Sequence, residues 1–263
     1  MPRTSAFLVL VLVAIPGLVL AQSQPTSDPT ALAFASQSIM AMTGGNPVSD
    51  VTLTGNSTWI AGSDNETGAA TLYAKGTESR IDLNLTGGTR TDIRNDFGTY
   101  PQGTSVVGSG TQQTWALHNC WINASWFFPA LSVLAATSDP TVILKYVGQE
   151  TRNGTLVQHI QSFRYISATR PIITTVTQSV STMDIYLDAG SLLPIAFVFN
   201  VHADDDAATN IGVEIDFSNY QAVNGIQVPF HVQKLISNGL ALDLVVSSAV
   251  FNSGLSDSLF AVQ

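Results

Sequence analysis

Charge is what this sequence has least of. Only 11% of its residues are Asp, Glu, Lys or Arg, where a soluble domain ordinarily carries roughly 25%. Set beside a hydrophobic content of 45%, that scarcity excludes a disordered chain, because disorder pairs low hydrophobicity with high charge. Positive charge is scarcer still: 10 Lys+Arg stand against 19 Asp+Glu, a net charge of −9. Such a chain lacks the basic surface that phosphate backbones attract, so nucleic acid is not an expected partner. Cysteine is almost missing. Cys120 is alone, so no disulfide closes within the chain and the core must hold itself together. Its expected place is as a small buried hydrophobe among Trp115, Trp121 and Trp126.

Catalytic signatures are missing too. The chain has no Gly-x-Ser-x-Gly elbow, no His-Glu-x-x-His and no phosphate-cradling loop, and Gly108-Ser109-Gly110 lacks the third glycine of a dinucleotide fingerprint. His118, His159, His202 and His231 are too far apart in sequence for a short metal-ligand spacing. No enzyme activity, cofactor or metal is therefore expected; a hydrolase would need the fold to bring Ser, Asp or Glu beside His118 or His159. The densest acidic run, Asp204-Asp205-Asp206, lacks the alternating spacing of a calcium loop and reads as a solvated hairpin turn. Glu78, Arg80, Asp82, Arg90, Asp92, Arg94 and Asp96 read as cross-strand charge pairs on the solvent face of one hairpin.

What is present begins with an export signal. Arg3 precedes an apolar run from Phe7 to Leu20, and Val19-Leu20-Ala21 places suitable residues before a cleavage site. Pro16-Gly17 interrupts the run, which is shorter than the roughly 20 apolar residues of a membrane anchor, and no other stretch is long enough to span. The expected organisation is a signal peptide over 1–21, a polar linker over 22–28 and one domain over 29–263, placing the protein in the periplasm or outside the cell. Asn-x-Ser/Thr sequons begin at Asn56, Asn65, Asn84, Asn123 and Asn153 and would accept glycans only in a eukaryotic secretory pathway.

Asp28-Pro29 predicts a helix start, with Asp as N-cap and Pro at the first position; Leu32, Ala35, Ile39 and Met42 recur at helical spacing and Gly44-Gly45 supplies the stop. From Val48 the period becomes two, as in Ile81, Leu83 and Leu85 or Ile211, Val213, Ile215 and Phe217. Asn153-Gly154, Asn224-Gly225 and Asn238-Gly239 mark hairpins, since both central positions of a type I′ turn need positive φ. The pattern predicts about ten antiparallel strands, apolar on one face and lined with Thr, Ser and Asn on the other. So long a sheet curls, and its apolar face needs a cover. The N-terminal helix and a nearly uncharged helix over Thr114 to Thr137, kinked near Pro129, are the expected covers.

The C-terminal run Phe217-Ser218-Asn219-Tyr220-Gln221-Ala222-Val223-Asn224-Gly225-Ile226-Gln227-Val228-Pro229-Phe230, closing on Asp257-Ser258-Leu259-Phe260, resembles the LolA-like superfamily of bacterial envelope proteins. Met42-Thr43-Gly44-Gly45, Tyr186-Leu187-Asp188 and Leu193-Pro194 fit the same pattern, and the resemblance extends over Asp28 to Gln263 with additional sequence near Thr99 to Gln113 and Ser167 to Ser181. It implies a mainly β (α+β) fold: a single antiparallel, strongly curved open β-barrel with an N-terminal helix and a mid-chain helical cover on the concave face. It also implies a hydrophobic ligand, a lipid or an acylated protein, held during transit through the periplasm. None of that family's ligand-contacting residues maps onto one position here. The candidate apolar lining, read from the local concentration of aromatics, is Trp115, Trp121, Trp126, Phe127, Phe128 and Leu131. Those residues serve equally as a movable lid over a pocket or as a plug that fills it, since burial stabilises both. The competing expectation is an envelope interaction module with a filled core and no ligand.

Overall fold

The computed structural model describes residues 24–262, so the expected signal peptide lies outside the described residues. Helix α1 (Pro29–Thr43) starts where Asp28 caps it, its carboxylate accepting the Thr30 N–H at 2.7 Å, and ends at Gly44 in the left-handed conformation. There follow β1 (Asp50–Ala61), β2 (Asp64–Lys75), β3 (Glu78–Leu85), β4 (Gly88–Asn95), β5 (Gln102–Val107) and the two-residue β6 (Gln113–Thr114). Helix α2 (Pro129–Ser138) precedes β7 (Val142–Arg152) and β8 (Thr155–Arg164); α3 (Pro171–Ser181) precedes β9 (Met183–Asp188) and β10 (Pro194–Ala203). Strands β11 (Asp206–Val223), β12 (Ile226–Ile236) and β13 (Gly239–Phe251) follow, and a 3-10 turn over Asp257–Phe260 comes last among the described residues.

Among the described residues all 13 strands form one antiparallel sheet, ordered β6-β5-β4-β3-β2-β1-β13-β12-β11-β10-β9-β8-β7. The chain's two halves meet where β1 pairs with β13, and the terminal strands β6 and β7 do not pair, so the curved sheet stays open. Between Thr54 and Gly55 the partner strand β13 carries an extra residue, Ser247, a bulge that bends β13 there. Gly55 is required by close approach: a Cβ at that position would sit 2.2 Å from the Val245 carbonyl oxygen. The long β7 edge is partly shielded by the linker, since the Asp28 N–H donates to the Leu144 carbonyl at 2.8 Å and Ser27 Oγ accepts the Leu144 N–H at 3.0 Å.

The concave face carries the core. Leu53, Leu72, Phe197, Ile215, Val232 and Leu244 of the sheet meet Ala31, Ala35 and Met42 of α1 and Leu131 of α2, and α1 and α2 pack on each other. The alternation thus finds the right faces for most strands. It fails on β4: Arg90, Asp92 and Arg94 pair with Leu83, Ile81 and Ser79 and share their inward-facing side, so they are not the solvent-face pairs expected. The Arg80–Asp82 pair, 2.8 Å apart and partly exposed, does lie on the outer side, but both residues belong to β3, so it is not a cross-strand pair either. The acidic run forms the expected hairpin turn, Asp204-Asp205 joining β10 to β11.

The expected helix over Thr114 to Thr137 is corrected too. Only its second half, α2, is α-helical; Leu117–Asn119 is a single 3-10 turn and the rest is irregular. Side chains divert the backbone here, as Asn and Ser do when they offer it local partners. Asn123 Oδ1 accepts the Ser125 N–H at 2.9 Å, while Asn119 donates to the His202 carbonyl at 2.8 Å and accepts the His202 N–H at 2.9 Å. Asn123 is thereby committed to internal hydrogen bonds next to a fully buried Ser125, unlike the exposed Asn56, Asn65, Asn84 and Asn153.

Candidate ligand-binding site

The segment from Trp115 to α2 lies against the concave face, held by one inward-pointing side chain. Arg94, 6% exposed, donates to the carbonyl oxygens of Cys120 at 2.6 Å, Ile122, and Asn123 at 3.5 Å. No carboxylate touches it, and burial pulls its guanidinium down to about 10. Cys120 is buried beside it, and burial pushes the thiol upward, the state of a packing residue and not of a nucleophile.

The six aromatic and apolar residues singled out in the sequence are divided by this arrangement. Phe127, Phe128 and Leu131 are buried in the main core, where Phe128 stacks on Phe251 at 5.8 Å and the Trp126 ring meets Phe127 edge-on at 5.6 Å. Along that stretch the segment fills the concavity. Trp121 instead remains half-buried, meets Tyr100 edge-on at 6.3 Å and lines a wide groove. Trp115 and Trp126 line a separate, smaller pocket.

The groove is the largest concavity described, about 780 Å³. One wall is the 3-10 turn with Leu117 and Trp121; the other is α3, which packs on β8 and on that turn. Sequence reasoning did not find α3. Its Ile172, Ile173, Val176 and Val180 do recur at helical spacing, yet Ile, Thr and Val dominate it and are weak helix formers. Thr174 pins its start, donating to the Ile166 carbonyl at 2.8 Å, and Ser181 closes it onto Thr177 at 2.6 Å. Val180 is buried, while Ile172 and Ile173 are 63% and 48% exposed toward the open groove. Arg170, Ser167, Thr169, Thr177 and Tyr100 bring polar groups to the lining, but the larger part of its surface is apolar. His118 donates from Nε2 to the Ala203 carbonyl at 3.0 Å, which ties the 3-10 turn to the β10–β11 hairpin and leaves the walls mostly apolar.

A hydrolase would need a nucleophile within reach of a histidine. His159 contacts Asp184 at 2.9 Å and Glu150 at 3.2 Å and stacks on Tyr186, without a serine in the set. Ser218, His231 and Asp243 do form a chain that sequence reasoning missed, with Oγ 3.2 Å from Nδ1 and Nε2 2.6 Å from the carboxylate. That chain runs across three neighbouring central strands on their outer face, where the backbone N–H groups serve the ladder and no donors converge on a reacting oxygen. The ring is also reversed relative to the usual arrangement, in which the nucleophile faces Nε2. No cluster of His, Cys, Asp or Glu able to hold a metal occurs among the described residues.

No family model and no curated protein matches the sequence. Solved structures do match the fold. A Vibrio parahaemolyticus domain assigned as an outer membrane lipoprotein-sorting protein superposes with a TM-score of 0.54 at 13% identity, over 88% of this chain and 96% of its own. A DUF1329 family protein from Desulfovibrio piger gives 0.57 at 10% identity, over 90% and 98%. A LolA superfamily protein from Nitrosomonas europaea gives 0.51 at 9% identity, over 88% and 97%. At such identities the likeness is one of fold: an open, curved antiparallel sheet with helices on its concave side.

Proposed function

The chain has the LolA-like fold, and from that premise we propose that it binds an apolar ligand, a lipid or an acyl chain, in the groove between α3 and the Leu117–Trp121 turn. One observation carries the reading: an open volume of about 780 Å³ walled by apolar side chains that the fold leaves uncovered. Contiguous exposed apolar surface is unusual on a soluble chain and marks a place something covers. The size lies within the range of small-molecule sites. Export belongs to the proposal, supported by Arg3 and the apolar run after it. Among the described residues no helix is long and apolar enough to cross a membrane.

Purification from its own host without detergent, followed by native mass spectrometry, tests this. The expected result is a retained apolar molecule that Ile173→Asp abolishes while the thermal transition stays within about 1 kcal/mol of the parent, because the side chain is already half exposed. A ligand-free parent that also fails to take up a fatty acid or a phospholipid would overturn the reading. Self-association lost on the same substitution would instead support the interaction module.

A further inference from the structure

Four of the ten Lys and Arg residues of this cation-poor chain, Arg90, Arg94, Arg164 and Lys234, face the concave side of the sheet, and Arg164 is paired with Asp139. Arg94 is accounted for by the carbonyls it holds. Arg90 and Lys234 are not. They line a second pocket of about 340 Å³, where β1 and β12 end and β4 and β13 begin, together with Trp59, Trp115 and Trp126. The Arg90 guanidinium lies 4.7 Å from the centre of the Trp59 ring and the Lys234 ammonium 5.1 Å from that of Trp126. Neither cation makes a hydrogen bond or an ion pair with any described residue. The only carboxylate in the pocket, Asp92, attracts both, yet its enclosed Oδ1 has no hydrogen-bond partner either. Two cations and one carboxylate leave the pocket positive inside a protein of net charge −9.

Keeping cations half-buried and unbonded costs free energy that a purely structural position would avoid by using an apolar side chain. Burial lowers the Lys234 ammonium from its ordinary range, which registers that cost. The tryptophan faces hold the two cations in place without consuming their N–H donors, so all of those donors stay free for a ligand. We propose that this pocket binds an anion carried on an apolar body, a carboxylate- or phosphate-headed amphiphile, with Arg90 and Lys234 on the head and Trp59, Trp115 and Trp126 against the body. The site is separate from the α3 groove and stands whether or not that groove is filled.

The tryptophans supply the assay. The chain has four, and after Trp121→Phe the remaining three all line this pocket, so their fluorescence reports on it and is silent on the groove. The protein is titrated below the aggregation threshold with dodecanoate, dodecyl phosphate and the neutral monododecanoyl glycerol. The anionic probes are expected to bind at least tenfold more tightly than the neutral one and to weaken as salt is raised; which of the two binds more tightly identifies the head. Lys234→Met and Arg90→Gln should each bring the three probes within about threefold of one another, and Asp92→Asn should tighten the anions severalfold by removing the competing charge. Circular dichroism verifies that each variant is folded, and three substitutions on two strands keep the test alive if one is not. Equal binding of the neutral probe, a preference that survives both cation substitutions, or no response to any probe overturns the proposal.

Discussion

Replacing Arg94 with Met tests whether one buried cation holds the central segment shut. The substitution removes two good charge-assisted hydrogen bonds, to Cys120 and Ile122, and one long one to Asn123. At roughly 1.5–3 kcal/mol for a bond to a charged group, the two good ones amount to about 3–6 kcal/mol. Against this stands the cost of keeping the guanidinium from water: its displacement from 12.5 to about 10 corresponds to about 3 kcal/mol at 1.36 kcal/mol per unit. Met keeps the apolar stem and carries no such cost, so the net loss should be about 0–3 kcal/mol, a fall in Tm of up to roughly 12 °C for a domain of this size. The loss should also be local. Amide exchange should accelerate across residues 117–126 and far less in α1 or β12, since only the former depend on Arg94. Arg94→Lys should fare no better than Met, because one ammonium lacks the planar fork that reaches three carbonyls. Thermal denaturation by circular dichroism and exchange mass spectrometry provide the readouts. A Met variant as stable as the parent, with unchanged exchange over 117–126, would refute the reasoning.

Phe127→Ala should cost about 3–5 kcal/mol in chemical denaturation, because the ring is fully buried against Trp126 and its loss leaves a void; a cost under about 1 kcal/mol would mean that the segment is not packed as described. On the outer face, burial and the adjacent Glu214 carboxylate push Asp216 up to about 6. A carboxyl raised in the folded state binds more protons there than in the unfolded chain, so it costs stability above pH 6 and that cost vanishes as pH falls through about 6 toward 4. Asp216→Asn should therefore stabilise the protein at pH 7 by about 1 kcal/mol, after allowance for its partial exposure, and flatten the stability profile between pH 4 and 6 in a urea-denaturation series. An unchanged slope there would count against the raised carboxyl.

Most of the sheet was legible because alternation reports burial directly: Val213, Ile215 and Phe217 point inward as their period demands, and Asn153-Gly154 and Asn224-Gly225 both take the positive φ their hairpins need. Asn238-Gly239 marked the right hairpin one residue late, since Ser237 and Asn238 carry the positive φ and Gly239 already begins β13. The charges of β4 were misread for a physical reason. A period of two states that Arg90, Asp92 and Arg94 share a face but not which face, and composition assigns charge to water by default. The N-terminal helix was placed correctly, although the buried stripe is Ala31, Ala35, Ser38 and Met42 and leaves Leu32 37% exposed. Of the candidate site, the aromatic residues were visible as a concentration. Their division between plug, groove and pocket was not, because it depends on where Arg94 and Asn123 draw the backbone. Helix α3 stayed hidden because β-branched residues at helical spacing give opposing signals.

Strands β8 and β9 are direct neighbours, registered from Val157↔Asp188 to Ser162↔Met183. A plain hairpin turn would suffice to join them, yet the chain spends residues 165–182 between them and builds the apolar wall of the groove from that detour. The β8–β9 register pairs and the main core lie outside it, though its ends tie onto Thr141 beside β7 and onto Arg164 of β8 through the Tyr165 N–H and Ser181 Oγ. The stretch is thus a cassette: it can be shortened, lengthened or exchanged by mutation while the scaffold keeps its register. Descendants of this chain could change what the groove accepts by rewriting fewer than twenty consecutive positions.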